Sequence, residues 1–146
     1  MDAREQLARE VNREEYHAVR ELWKAHSIAE DRRDIDGLIA TLSPACVYEI
    51  AVTGQRWEGH EGARRFYEDL FAAFPDNAFA LSEIVIGPQG VFEVAMLTGT
   101  NLGPWTGVPA SGLAVALEVL TLFPWDPDTG RFGGERIWFD RSGVDR

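Results

Sequence analysis

The sequence predicts an α+β domain in which a curved antiparallel sheet wraps around three helices. Apolar residues recur with helical spacing in the first half of the chain. From about residue 79 onward, strand-like segments alternate with turns that contain Gly and Pro. One more strand-like segment separates the second and third predicted helices. Helices packed on one face of such a sheet leave space between the layers, so we expect a cone-shaped domain with one deep pocket.

The first helix is predicted over residues 3–33, either continuous or broken near Asn12. Its best-defined apolar stripe follows the spacing i, i+3, i+4, i+7 and consists of Val19, Leu22, Trp23 and His26. This spacing places His26 on the inward face of the helix, among apolar neighbours.

Two shorter helices are predicted over residues 35–42 and 61–74, each with an apolar stripe. Asp34 is a suitable N-cap for the first of them, because its carboxylate can accept a hydrogen bond from a free backbone N–H. Pro44 is expected to end that helix, since proline disfavours helical backbone in the residue before it.

Strands are predicted over residues 46–52, 79–86, 91–100, 113–123 and 131–140, and residues 53–59 are expected to form a loop. Glu49 lies at the centre of the first strand. Glu118 and Glu135 lie in the last two strands, which form a hairpin with mostly apolar neighbours. A buried carboxylate is costly unless it is paired, protonated or used, so we expect this hairpin to form one wall of a small-molecule pocket.

The length of 146 residues predicts one domain spanning residues 1–146, with residues 1–15 as a helical N-terminal extension. A net charge of −10 argues against binding to nucleic acid or to anionic membranes. Cys46 is the single cysteine, so we expect no internal disulfide and no metal site. The charged N-terminus does not resemble a signal peptide and no apolar run spans a membrane, so we expect a cytoplasmic protein. We also expect no cofactor.

Several segments together resemble the SnoaL-like polyketide cyclases, which belong to the superfamily of nuclear transport factor 2 and ketosteroid isomerase. The resemblance covers about residues 18–143. It is carried by residues 57–62, 65–67, 74–76 and 99–112 and by the final hairpin with Glu135-Arg136 and Phe139-Asp140. The resemblance implies a cystatin-like roll with a central pocket. The superfamily hosts many reactions, so the fold is implied more strongly than the chemistry.

The ketosteroid isomerases imply candidate proton-handling positions in this chain. Their first helix carries a pocket tyrosine eight residues before an Asp-x-Asp-Gly turn, here residues 34–37, and the matching position is His26. Their base on the first strand corresponds to Glu49. Their supporting tyrosine corresponds to Tyr67, and their second acid corresponds best to Glu118, with the register left open by a longer turn.

The polyketide cyclases imply a different pair, and this chain departs from it. Their acid/base aspartate precedes a terminal aspartate by three residues. If Asp140 is the terminal one, that position holds Ile137, and their partner histidine falls near Thr121. The chain is therefore not expected to use that dyad. Alternation places Glu135, Ile137 and Phe139 on the inner face of the last strand, so Glu135 becomes a substitute carboxylate.

The resulting hypothesis is a cofactor-independent enzyme that acts on a small hydrophobic carbonyl or polyketide-like ring compound. The reaction would be a proton transfer: isomerisation, aldol cyclisation or dehydration. Glu49 would be the base, His26 supported by Tyr67 would polarise the carbonyl oxygen, and Glu135 or Glu118 would act as the second acid. The candidate substrate-binding residues are apolar or aromatic: Trp57, Phe66, Trp105, Ile137 and Phe139.

Each candidate also has a structural explanation. Glu49 could lie on the outer face of the sheet, and His26 could be a core histidine bonded to Tyr67. Glu135 could form a salt bridge with an arginine on an adjacent strand. Glu118, opposite Arg136 or Ile137 in the hairpin, could pair with a charge on the outer face.

Two other functions are also compatible with the sequence. One is a non-catalytic ligand-binding or dimerisation domain, favoured by the missing cyclase dyad. The other is an epoxide hydrolase, which would need two carboxylates and an arginine around one water, although Arg136 should face away from Glu135. An outer sheet face with Arg136, Trp138 and Asp140 is expected to support a homodimer, because an exposed tryptophan is costly in water.

Overall fold

The helices lie on the concave face of one curved, open sheet. The computed structural model describes residues 2–144, and positions 1, 145 and 146 lie outside this range. The elements in chain order are α1 (Ala3–Ala8), α2 (Arg13–Asp31), α3 (Ile35–Ile39), β1 (Leu42–Ile50), β2 (Gln55–Glu58), α4 (Gly59–Ala73), β3 (Ala78–Gly87), β4 (Gly90–Thr100), β5 (Ala114–Asp126), β6 (Arg131–Trp138) and a final 3₁₀ turn (Arg141–Gly143). The predicted α+β class is confirmed.

The first predicted helix is two helices, because Asn12 caps the second of them. The Asn12 side chain accepts a hydrogen bond from the Glu15 backbone N–H at 3.0 Å, and its own backbone is extended. Asp34 caps α3 in the same way, accepting from the Gly37 N–H at 2.9 Å, as predicted. Between α2 and α3, Arg33 has a φ of 55°, which reverses the chain direction.

The sheet has the strand order β2-β1-β6-β5-β4-β3. All neighbouring pairs are antiparallel except β1 and β6, which run parallel and bring Tyr48 beside Glu135. Gly134 makes this approach possible, because a Cβ at that position would collide with the Val47 carbonyl oxygen. The chain thus joins its first long strand to its last one.

The structure differs from the prediction around β1. Residues 55–58 form the edge strand β2 rather than a loop. This stretch is short, Trp57 is its one apolar residue, and its strand character comes from pairing with β1. The helix α3 ends at Ile39, and Pro44 lies inside β1 rather than after a helix. Pro44 falls where the β1–β6 register shifts, and such irregularities tolerate a residue without an N–H.

The core fills the space between the helices and the concave face. The inward stripe of α4 includes Ala63, Phe66, Tyr67, Leu70 and Ala73. Residues from every long strand pack against it; Tyr48, Leu97, Phe123 and Phe132 are fully buried or nearly so, and Phe79 of β3 is partly buried. Burying each large side chain stabilises the fold by about 1.5–3 kcal/mol. Within residues 2–144, no helix is long and apolar enough to cross a membrane.

Candidate active site

A hydrogen-bonded cluster around Glu135 joins the last strand to the helices. Glu135 is 6% exposed, and its Oε2 accepts a hydrogen bond of 2.6 Å from the Tyr67 hydroxyl. The Tyr48 and Tyr67 hydroxyl oxygens are 2.6 Å apart. His26 Nε2 lies 3.1 Å from Glu135 Oε2 and 3.2 Å from the Tyr67 oxygen. A carboxylate, an imidazole and two phenols therefore meet in the core.

The orientation of His26 follows from the bond made by its other nitrogen. Nδ1 lies 2.8 Å from Thr41 Oγ1, and the Thr41 hydroxyl donates to the Leu38 carbonyl oxygen at 2.7 Å. Since the hydroxyl proton is used there, Nδ1 is the donor and Nε2 is left to face Glu135. A hydrogen bond between Nε2 and Oε2 requires one proton between the two groups.

Both tyrosines act as donors because they stay protonated. Burial raises the pKa of Tyr67 well above its ordinary value of 10, and the nearby charges of Glu135 and Tyr48 raise it further. Burial and then the Glu135 charge raise the pKa of Tyr48 in the same direction. If Tyr67 donates to Glu135, then Tyr48 donates to the Tyr67 oxygen, and the protons are ordered toward the carboxylate.

Glu135 also lines an apolar cavity, which we call the inner cavity. The cavity is narrow, with a volume of about 30 Å³. Its lining residues are Glu30, Phe66, Leu70, Phe79, Glu93, Ala95, Leu97, Trp105, Val119, Thr121, Glu135 and Ile137. A mostly apolar cavity with a few polar groups is the usual form of a small-molecule site.

Two further carboxylates in the inner cavity, Glu30 and Glu93, are absent from the predicted site. Burial raises the pKa of Glu93 to about 7, and the charge of Glu135 contributes, against a hydrogen bond from Trp23 that lowers it. Burial, then the charges of Glu135, Glu93 and Asp31, raises the pKa of Glu30 well above its ordinary value. Perturbed acids are typical of functional sites.

One of these carboxylates could have been found from the sequence. Glu30 lies four residues after His26 and continues its inward stripe on α2. Glu93 gave no such signal, because its neighbours on β4 are apolar on both sides and alternation alone does not fix the inner face.

The positions matched to the cyclase dyad face each other across the sheet. Thr121 and Ile137 are direct partners in the β5–β6 register, and both line the inner cavity. A hydroxyl and an aliphatic side chain therefore lie side by side on the cavity wall at these two positions. Glu135 lies two residues before Ile137 on the same face of β6, as predicted.

Glu49, the predicted base, is not part of this cluster. Tyr48 faces inward, so its neighbour Glu49 faces outward, where its carboxylate lies 3.8 Å from Arg136 Nε. Arg136 in turn lies over the Trp138 ring at 5.0 Å. The prediction that Glu49 faces the pocket is wrong, because the strand register could not be fixed from alternation.

Glu118 also lies on the outer face, away from the inner cavity. It pairs with Met96 of β4 and lines an outer groove of about 410 Å³ together with Leu120, Trp138 and Asp140. In the hairpin, Leu120 lies opposite Trp138 and Leu122 lies opposite Arg136, so Glu118 faces neither Arg136 nor Ile137. The bulge between Leu122 and Trp125 sets this register.

The predicted aromatic residues are divided among three places. Phe66 and Trp105 line both the inner cavity and a side pocket on the surface, so they form the wall between them. Trp57 lines the side pocket. Phe139 stacks on Trp105 with ring centroids 5.2 Å apart and supports this wall from behind. Ile137 lines the inner cavity.

Among the described residues, no group of three or more His, Cys, Asp or Glu side chains is arranged to hold a metal ion. The polar groups of the cluster are instead in contact with one another.

Comparison with known proteins gives a consistent result. The model of the family described as "SnoaL-like polyketide cyclase" matches residues 13–146. A candidate SnoaL-like polyketide cyclase from Jannaschia sp. CCS1 is 28% identical, with a TM-score of 0.66 over 76% of this chain and 78% of that one. No curated protein matches significantly.

Two more distant structures share the fold. IdmH from Streptomyces antibioticus, a candidate polyketide cyclase, is 19% identical with a TM-score of 0.68, over 86% of this chain and 94% of that one. A protein with a ketosteroid isomerase-like fold from Catenulispora acidiphila, solved with trimethylamine, is 15% identical with a TM-score of 0.68, over 85% and 88% of the two chains. With the family model spanning nearly all of its length, the chain belongs to the SnoaL-like polyketide cyclase family.

Proposed function

We propose that the chain is a cofactor-independent enzyme that moves a proton on a small, largely apolar carbonyl compound. Isomerisation, aldol cyclisation and dehydration all begin with such a step. The observation that carries the proposal is the Glu135 carboxylate, which lies in an apolar cavity while its Oε2 contacts Tyr67 and His26. Membership of a cyclase family supports the same class of reaction.

In the proposed step, Glu135 acts as the base. Oε2 holds the contacts with Tyr67 and His26, so we assign Oε1 as the oxygen that takes a proton from the carbon beside the carbonyl. The carbon–hydrogen bond breaks, and its electron pair moves toward the carbonyl oxygen to form an enolate. Glu135 then returns the proton to carbon, so the carboxylate is regenerated.

Tyr67 and His26 are positioning residues in this scheme. They fix the carboxylate and hold the proton that Nε2 and Oε2 share, and neither has to touch the substrate. The Thr121 hydroxyl, on the cavity wall, is suited to donate to the developing enolate oxygen.

The experiment compares two candidate bases. In D2O, we expect the wild-type protein to accelerate deuterium exchange beside the carbonyl of at least one member of a panel of cyclic ketones, followed by NMR. Glu135→Gln should lower this rate by about 10²–10⁴-fold, since the amide cannot take the proton. Glu49→Gln should exchange at close to the wild-type rate.

Thermal unfolding of both variants shows whether the fold is kept. The amide oxygen that Glu135→Gln introduces can still accept from Tyr67, so we expect this variant to remain folded. Full exchange activity in Glu135→Gln would refute the assignment. A loss confined to Glu49→Gln would return the base to the outer strand face.

The epoxide hydrolase alternative receives no support from the site. Such a reaction would need an arginine beside the carboxylates, and no described arginine lines the inner cavity. Arg136 lies on the outer face with Glu49.

A further inference from the structure

A second cavity, which we call the mouth, adjoins the inner cavity. Its lining residues are Trp23, His26, Ser27, Glu30, Asp31, Phe79, Leu81, Glu93, Ala95 and Phe123. Four residues line both cavities: Glu30, Phe79, Glu93 and Ala95. A ligand that moves from the mouth to Glu135 must therefore pass the two carboxylates of Glu30 and Glu93.

The path is lined by acidic side chains, and no described lysine or arginine is paired with those of Glu30 and Glu93. Its acidic residues are Glu30, Asp31, Glu93 and Glu135, and no described lysine or arginine lines either cavity. His26 is the one basic group on the path, and it is paired with Glu135. The ion pairs among residues 2–144 leave Glu30 and Glu93 without a cationic partner.

A second observation also indicates a ligand. Thr121 is 5% exposed and lies on the cavity wall, where its backbone partner across the sheet is Glu93. No hydrogen bond to its hydroxyl occurs among the described residues. Because Thr121 lies on the cavity wall, its hydroxyl can donate a hydrogen bond to a ligand oxygen in the inner cavity.

The walls of the path suit a cation that also carries apolar surface. Trp23 and Phe79 line the mouth, and Phe66, Phe79 and Trp105 line the inner cavity. Aromatic faces attract ammonium groups, and this attraction grows when water is excluded. A cleft lined by charge of one sign also concentrates ligands of the opposite sign.

We propose that the ligand of this cavity is a ring compound that carries both a carbonyl oxygen and a positively charged nitrogen. The nitrogen lies between the Glu30 and Glu93 carboxylates, and the oxygen accepts from Thr121 with its neighbouring carbon near Glu135. This inference rests on the proposed function, because it names the class of compound that reaches the base.

The carboxyl groups of Glu30 and Glu93 would gain from a positively charged ligand nitrogen. Burial and the charges of neighbouring carboxylates raise their pKa values in the empty cavity. A bound cation favours their ionised forms, so the free energy lost to repulsion is recovered on binding. A neutral ketone of the same shape gives no such compensation.

The test uses a matched pair of soluble bicyclic ketones. Tropinone carries an amine that is protonated at neutral pH, and in its ether analogue an oxygen replaces the methylated nitrogen. Titration calorimetry with the full chain at neutral pH should give a dissociation constant about tenfold or more lower for tropinone. Glu30→Gln and Glu93→Gln should each reduce this preference by at least about threefold.

A matched control separates a local effect from the overall charge. Glu68 is exposed on α4 and lines neither cavity, so Glu68→Gln removes the same charge and should keep the full preference. Equal affinity for both ketones, or a preference unchanged in both cavity variants, would overturn the proposal. Absence of binding by either compound would overturn it too.

The proposed function fails by a different readout. Binding of both ketones with equal affinity, together with deuterium exchange that depends on Glu135, would leave the enzyme assignment standing and remove only the cationic ligand. A clear preference for tropinone without any exchange activity would support the cationic ligand and remove the enzyme assignment.

Discussion

Replacing Glu93 with glutamine should stabilise the protein above neutral pH, although the substitution removes an acidic group from the proposed active site. Burial and the Glu135 charge raise the pKa of Glu93 from 4.5 to about 7. In the unfolded chain the carboxyl loses its proton near 4.5, whereas in the folded protein it keeps that proton until about pH 7. Between these values the folded state binds more protons, so stability falls as pH rises.

The magnitude follows from the two pKa values. A tenfold change in proton affinity corresponds to about 1.4 kcal/mol, so ionising Glu93 should cost the fold about 3 kcal/mol by pH 8. Glutamine cannot ionise, but its amide still has to be accommodated in the cavity. We therefore expect Glu93→Gln to be more stable than wild type by about 1–3 kcal/mol above pH 7, and about equal to it near pH 5.

Urea denaturation followed by tryptophan fluorescence, at several pH values from about 5.5 to about 8, gives the two stability profiles. Glu30 and Glu135 are present in both proteins, so the difference between the profiles reports on the charge of Glu93 and its repulsion with these two carboxylates. Glu68→Gln, on the exposed side of α4, should show the wild-type pH dependence. Parallel profiles for wild type and Glu93→Gln would refute the reasoning, because they would mean that Glu93 ionises as easily in the folded protein as in the unfolded chain.

Two further substitutions test other parts of the structure. Tyr67→Phe removes the donor to Glu135 and the acceptor for Tyr48. We therefore expect a loss of about 1–3 kcal/mol of stability and slower deuterium exchange. If both values were unchanged, the Tyr67 hydroxyl would contribute neither to stability nor to the reaction. We also propose that the outer sheet face, where Val85, Phe92 and Met96 are exposed, pairs two copies of the chain; Trp138→Asp should then lower the mass found by light scattering toward that of a monomer, and an unchanged mass would exclude this face.

The sequence was sufficient to predict the fold because its local signals agree. Helical periodicity located α2 and α4, the cap at Asp34 marked the start of α3, and turn residues separated the later strands. The edge strand β2 escaped prediction because it has only four residues, three of them polar, and depends on β1 for its conformation. Its detection required a partner strand that no local pattern identifies.

The candidate site was predicted only in part, and strand parity explains most of the difference. His26, Tyr67 and Glu135 do come together, since a helix stripe and the alternation of the last strand each fixed the inner face. Glu49 was assigned inward although its neighbour Tyr48 is the residue that points to Glu135. A shift of one residue moves a side chain to the opposite face, and apolar residues on both sides of Glu49 concealed the register.

Glu30 and Glu93 show a second limit of sequence reasoning. Their raised pKa values arise from burial and from the charges of nearby carboxylates, and these depend on α2, β4 and β6 meeting in space. Residue type and spacing give no measure of such proximity.

The parallel pairing of β1 with β6 has a consequence for the order of folding. The residues that Glu135 contacts are contributed early in the chain: Tyr67 lies 68 positions before it, and His26 lies a further 41 positions before Tyr67. During synthesis, the helices and first strands leave the ribosome well before β6 exists. Tyr48, Tyr67 and His26 therefore lack their carboxylate partner until β6 has been synthesised. The cluster around Glu135 can form only when β6 pairs with β1.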